Sequence, residues 1–190
     1  MLSKLFISKV RIKMLNQFLM DPQQEYHVRG LVRILEEEIN AVRRELQNLE
    51  SAGILISKRK GNKLFYKLDE SCRYLVDLTR LMYQDRDDIV EIHTAISKVS
   101  NIQMALITEN YLKNSYEHDY DIDMLILGEV DVNELTVAIK KIEEKLGKEL
   151  RVTVLHQKDL EFSYKKRDDF LLNILRGDKI FLIGSDKDLI

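Results

Sequence analysis

Asp121 and Asp123, within the stretch DYDIDMLIL, are the side chains whose type and spacing suit chemistry. The segment reads as a strand, and residues two apart on a strand point to the same face. Two carboxylates so placed can share metal ions, which would bridge the attacking and leaving oxygens of an in-line displacement. The rest of the inventory is sparse. His118 lies near Asp121, but no second nitrogen or sulfur ligand accompanies it, so it reads as loop. Four histidines and one cysteine, Cys72, make no zinc cluster and no disulfide framework. The chain contains no glycine-rich phosphate loop, nucleophile elbow or dinucleotide fingerprint.

The elements around the aspartates alternate. NIQMALIT reads as a strand and IDMLILG as a second. DVNELTVAIKKIEEKLG is an amphipathic helix with Leu135, Ala138, Ile139, Ile142 and Leu146 on one face and Gly147 as its stop. ELRVTVLH is a third strand, DFLLNILRGD a helix, KIFLIG a last strand, and YKKRDD the mixed-charge surface of a helix. This order predicts an α/β layer.

The first half has a different rhythm. Val10, Met14, Leu15 and Phe18 predict a helix over about 8–20, ended by Asp21-Pro22. EYHV is a short extended piece. RGLVRILEEE predicts a short helix with Leu31, Ile34 and Leu35 inward. INAVRRELQNLESAGIL predicts a longer helix with Val42, Leu46 and Leu49 buried and Gly53 closing it. ILIS and LFYKL follow as strands around KRKGNK, where Gly61-Asn62 suits a tight turn.

Residues 5–83 resemble a winged helix-turn-helix DNA-binding domain. AVRRELQNLESAGIL followed by RKGNKLFYKL carries most of the resemblance. It implies a recognition helix at about 39–52 in the major groove and a wing at 57–64 on the phosphate backbone. Carried onto this chain, Asn40, Arg43, Arg44 and Gln47 form the outward face of the recognition helix. Arg makes bidentate contacts to guanine, Asn and Gln to adenine. Lys58, Arg59, Lys60 and Lys63 would meet phosphates, giving affinity without sequence information. Glu36, Glu37 and Glu38 complement the dipole of the helix they precede, but near DNA they would repel phosphates.

The second half resembles a small nucleotidyltransferase domain, with Asp121-Ile122-Asp123 matching its Asp-x-Asp. That family places Gly-Ser ahead of the pair, so that the backbone can approach a triphosphate and serine can bond a phosphate oxygen. Here those positions are Glu109 and Asn110, and the glycine expected a few residues on is Asn114. The third carboxylate is also missing: RVTVL offers Arg151 and Thr153 on one face, Val152 and Val154 on the other. Arg151 is expected to stand where a metal would have been and neutralise Asp121 or Asp123. Phosphoryl-type chemistry is mostly positioning and charge neutralisation, so the aspartates are expected to be vestigial metal ligands and the domain non-catalytic. Magnesium would be needed only if nucleotide transfer survived.

The two resemblances together imply a prokaryotic, especially archaeal, transcriptional regulator. The chain is expected to be α/β (α+β), with residues 1–84 the DNA-binding domain and 85–190 the nucleotidyltransferase-like domain with a leading connector helix and, as the resemblance implies, a mixed sheet. Charge divides in the same sense: 15 Lys and Arg against 10 Asp and Glu up to residue 84, then 15 against 22. A basic half suits a polyanion such as double-stranded DNA. Leu75, Leu78 and Met82, then Ile89, Ile92, Ile96 and Val99, recur at spacings of three and four. They serve either their own domains or a homodimer seam, and a dimer would present two wings to a two-fold site. The second domain would be a sensor of a small-molecule or protein effector, a dimer platform or a docking surface. The alternatives are a magnesium-dependent nucleotidyltransferase and an antitoxin-like interaction module. The N-terminal stretch MLSKLFISKVRIK lacks the features of a signal peptide and no apolar run spans a bilayer, so the expected location is the cytoplasm, with no membrane partner.

Overall fold

The computed structural model describes residues 2–189. The chain is mixed α/β and divides into two compact units, one running to Asp85 and one starting at Arg86.

The N-terminal unit begins with a short helix, α1 (Leu2–Leu5), which the sequence reading did not assign. Its Leu2 is buried with the core. Helix α2 (Lys9–Met20) starts where Ser8 accepts a hydrogen bond from the Arg11 amide, an N-cap that satisfies one otherwise unpaired donor. A two-residue strand, β1 (Tyr26–His27), leads into α3 (Val28–Leu35), then α4 (Ile39–Ser51). The hairpin β2 (Leu55–Lys60) and β3 (Lys63–Leu68) follows, then α5 (Leu75–Gln84). The three strands form one antiparallel sheet in the order β1-β3-β2. Gly61 turns the hairpin at φ +59°, a left-handed conformation that costs glycine little.

The core of this unit gathers Met14, Leu15 and Phe18 of α2, Leu31 and Leu35 of α3, Val42, Leu46 and Leu49 of α4, and Leu55, Tyr66 and Leu68 of the hairpin. Each such apolar side chain contributes about 1.5–3 kcal/mol on burial. Phe18 meets Tyr26 edge-on at 5.2 Å, and the Tyr26 hydroxyl accepts a hydrogen bond from Gln17. One inward assignment fails: Ile34 is 50% exposed. Helix α3 stops at Leu35 because Glu36 turns left-handed at φ 54°, so the predicted extension through EEE does not form.

The second unit contains α6 (Asp87–Ile96), β4 (Ile102–Ile107), α7 (Glu109–Lys113), β5 (Met124–Gly128), α8 (Val132–Leu146) and β6 (Val152–Leu155). It closes with α9 (Gln157–Lys166), α10 (Asp169–Arg176), β7 (Ile180–Ile183) and a 3-10 turn at Asp186–Leu189. Its sheet runs β6-β5-β4-β7, with β5–β6 parallel and the other two pairs antiparallel. Met104, Leu106, Leu125 and Leu127 pack with Leu160, Leu171 and Ile174 on one side. The alternate residues Ala105, Ile107, Met124 and Ile126 are equally buried, so both faces of the sheet are covered.

The apolar repeat around the connection is used inside the units. Met82 is buried in the first core, with Leu75 and Leu78 half-buried against it. Ile89, Ile92, Ile96 and Val99 are buried in the second unit.

Candidate functional site

Helix α4 owes its start to Glu38. As N-cap, its carboxylate accepts from the amides of Asn40 at 2.7 Å and Ala41 at 3.1 Å. Glu37 pairs with Lys13, and Glu36 supplies the left-handed cap of α3. The three glutamates therefore have structural tasks in the turn between the two helices. Val42, Leu46 and Leu49 seat α4 on the core at 0%, 0% and 3% exposure. Asn40, Arg43, Arg44 and Gln47 all lie on its exposed side.

The inward face holds a residue that sequence reasoning missed. Glu45 is only 3% exposed. It accepts from Arg11 Nε of α2 at 2.8 Å and from Asn48 Nδ2 at 3.4 Å. Burial opposes its ionisation, but hydrogen bonds from Ser8, Arg11 and Asn48 outweigh that and hold the carboxyl below its ordinary range. The signal was its place in the stripe, three residues after Val42 and four before Leu49. Its partner Arg11 lies 34 residues away and could not be read from local pattern.

The hairpin separates the basic residues that the sequence had grouped. Side chains alternate along a strand, and directly opposed residues share a face. The register pairs Lys60 with Lys63 and Lys58 with Phe65, so these four share the outer face. Arg59, paired with Leu64, lies on the other face, in line with Leu55, Tyr66 and Leu68 nearer the core. Lys67, paired with Ile56, joins the outer face and had not been singled out. Lys58, Arg59, Lys60 and Lys63 are all exposed. The Lys60 ammonium pairs with Glu25 and sits 5.5 Å from the Phe65 ring centroid.

In the second unit the two aspartates are not where the pattern put them. Both precede β5, which begins at Met124. Asp121 closes a turn: its carboxylate accepts from the amides of Glu117 at 2.6 Å and His118 at 2.9 Å. Burial opposes its ionisation, but those amides, His118 and the Asn110 side chain hold its carboxyl below the ordinary range. Asp123 is 2% exposed. One of its oxygens takes the Tyr116 hydroxyl and the other takes the Arg151 amide at 2.8 Å. Burial, then the hydrogen bond to Asp123 and its charge, push the Tyr116 hydroxyl well above its ordinary range.

The carboxylates also face different spaces. Asp121 lines a hollow of about 490 Å³ with Glu109, Asn110, Lys113 and Arg176. Asp123 lines another of about 410 Å³ with Tyr116, Lys148 and Arg151. The shared face expected of an Asp-x-Asp strand is absent because the segment is a turn joined to the start of a ladder. Asp121 donates its amide back to His118, whereas Asp123 bonds Arg151 and Thr108. Among the described residues no group of three or more His, Cys, Asp or Glu gathers to hold a metal ion.

Arg151 meets Asp123, though not as expected. Its backbone amide makes the bond, while its guanidinium lies over the Tyr116 ring at 4.7 Å. At the expected phosphate-cradle position, Glu109 starts α7. Its carboxylate pairs with Lys113 and accepts from the Asp178 amide at 3.1 Å. A Cβ on Gly177 would come within 2.5 Å of that carboxylate, so glycine there makes room for it. Asn114 takes the left-handed conformation, φ 50°, that ends α7, a role asparagine tolerates better than most residues. Comparison with known protein families, with curated proteins and with solved structures finds no match for this chain.

Proposed function

We propose that the chain is a sequence-specific, DNA-binding transcriptional regulator. Its first unit acts as a winged helix-turn-helix, and its second as a nucleotidyltransferase-like domain that does not catalyse. The observation that carries the reading is the outward face of α4. Asn40, Arg43, Arg44 and Gln47 stand exposed on a helix whose opposite side is locked into the core. Those four side chains have the donors and acceptors that read base edges in the major groove. Lysines on the adjoining hairpin supply a phosphate-binding surface that fixes register without reading sequence.

The non-catalytic assignment rests on what the acidic groups already hold. Both oxygens of Asp123 are engaged by Tyr116 and Arg151. Glu109 brings a carboxylate, not a phosphate-accepting backbone, to Lys113 and the Asp178 amide. On this reading the second unit binds no nucleoside triphosphate at millimolar magnesium, an outcome calorimetry checks. Saturable, magnesium-dependent binding abolished by Asp123→Asn would overturn it.

The test of the main reading is fluorescence anisotropy with the duplex upstream of the chain's own gene against a scrambled duplex, across several salt concentrations. The expected result is preference for the native duplex, a steep inverse salt dependence, and loss of the preference in Arg43→Ala/Arg44→Ala. No binding to either duplex at low salt would remove the reading.

A further inference from the structure

The outer face of the three-stranded sheet collects four lysines. Lys58 and Lys60 of β2 and Lys63 and Lys67 of β3 lie on it by register, with Phe65 between them. Strand β1 extends the same face. His27 is paired with Phe65, and its ring stacks on Phe65 at 5.4 Å and 10°. Glu25 lies two residues before His27, on that face by alternation. Its carboxylate pairs with the Lys60 ammonium. The hydrogen bond from Lys60, opposed by desolvation, and the fields of Lys60, Lys67 and Lys58 hold the Glu25 carboxyl below its ordinary range. It is therefore an anion at neutral pH, set among cations.

We propose that Glu25 is a built-in brake on phosphate binding. Its carboxylate competes with the DNA backbone for the outer-face lysines and holds down the affinity of the chain for duplex of any sequence. The inference rests on the DNA-binding reading above.

Two magnitudes separate a brake from a structural ion pair. Lys60 and Glu25 are 49% and 30% exposed, and exposed pairs add little to folding. Removing Glu25 therefore leaves the fold intact. Its charge has a larger effect on DNA binding. Each phosphate neutralised by a lysine releases condensed counterions, and the logarithm of affinity falls against the logarithm of salt with a slope of about −0.9 per phosphate. A carboxylate that occupies one lysine cancels about one such contact. The lysines meet phosphates and not bases, so the brake acts equally on matched and unmatched sequences.

The test uses the full chain, wild type and Glu25→Gln, titrated with the native and scrambled duplexes at several salt concentrations. Glu25→Gln is expected to tighten binding to both duplexes by about 3–10-fold at low salt and to steepen the salt slope by about 0.9, leaving the ratio between duplexes unchanged. Glu25→Asp keeps the charge and should show a much smaller gain. In a Lys60→Gln background the gain from Glu25→Gln should shrink. Circular dichroism of each variant checks that folding is unaltered. Unchanged affinity and slope in Glu25→Gln, with wild type still binding, would overturn the brake and leave the DNA-binding reading standing. A tighter native duplex with an unaffected scrambled one would also overturn it, because Glu25 would then act on sequence reading. Absence of binding by wild type and Glu25→Gln alike removes both inferences.

Discussion

On the outward faces of α4 and the hairpin, basic and amide side chains are exposed. In the loop between α7 and β5, two aspartates are consumed by the fold. Arg43, Arg44 and Gln47 are exposed, and the caps and core that hold their helix are made by other residues. Asp121 and Asp123 are instead the caps and struts of their own loop, accepting two backbone amides in one case and a hydroxyl and an amide in the other. A side chain that stabilises its own fold has its hydrogen-bonding capacity taken, and what remains for a ligand is small. The contrast explains why two polar motifs of similar prominence in sequence carry different weight in the molecule.

The largest effect that sharpens this contrast is Asp123→Ala. It leaves the Tyr116 hydroxyl and the Arg151 amide, both partly buried, without their acceptor. The second unit should lose about 3 kcal/mol of stability, read by urea denaturation of the full chain with amide exchange at β5 and β6 as the local probe. An unaltered exchange pattern would mean that Asp123 is no strut. The opposite behaviour is expected of Arg43→Ala/Arg44→Ala. Stability should shift by no more than about 0.5 kcal/mol, while discrimination between duplexes falls by about 2 kcal/mol.

Within the first unit, the N-terminus of α3 is the place where side chain and fold are most tightly joined. His27 Nδ1 accepts from the Gly30 amide at 3.2 Å, and a Cβ on residue 30 would come within 2.6 Å of that nitrogen. In an ordinary helix Gly→Ala gains about 1 kcal/mol. Here Gly30→Ala displaces the cap, worth about as much, and the gain should vanish. In a His27→Ala background the same substitution should recover it, and thermal unfolding of the four variants completes the cycle.

The smallest effect is a pH dependence. Against burial, hydrogen bonds from Ser8, Arg11 and Asn48 hold the Glu45 carboxyl below the ordinary glutamate range in the folded state. Its contribution is therefore fully present above about pH 4.5 and lost as pH falls through the lower, folded value. Glu45→Gln should weaken the first unit at neutral pH and flatten its stability profile below pH 4.5. An identical acid profile in the variant would show that the Arg11–Glu45 contact carries no linkage.

Much of the fold was legible because its signals are local. The buried stripe of α4, the Gly61-Asn62 turn and the Gly147 stop of α8 follow from periodicity of 3.6 or 2 and from backbone freedom at single residues. The misses are also physical. The triple glutamate looked like continuing helix, yet Glu36 turned left-handed and Glu38 became a cap. The aspartate pair looked like strand because an extended pattern cannot distinguish a strand from the turn feeding it. Helix α7 was hidden by its five-residue length, too short for periodicity to register.

The sequence alone determined the order of the longer helices and strands and the identity of most core positions, because burying apolar side chains at a fixed period is a demand each segment meets by itself. It also determined that α4 would carry Arg43, Arg44 and Gln47 opposite its apolar stripe. Tertiary structure decided which charges remained free. Glu45 found Arg11, Glu25 found Lys60, Glu109 found Lys113 and the Asp178 amide, and Asp123 found Tyr116 and Arg151. Except for the helical Glu109–Lys113 contact, these partners meet through the packing of helices distant in sequence, through loops or through strand registers, so no local period encodes them. A charge is available to a ligand only when the folded chain has left it without such a partner.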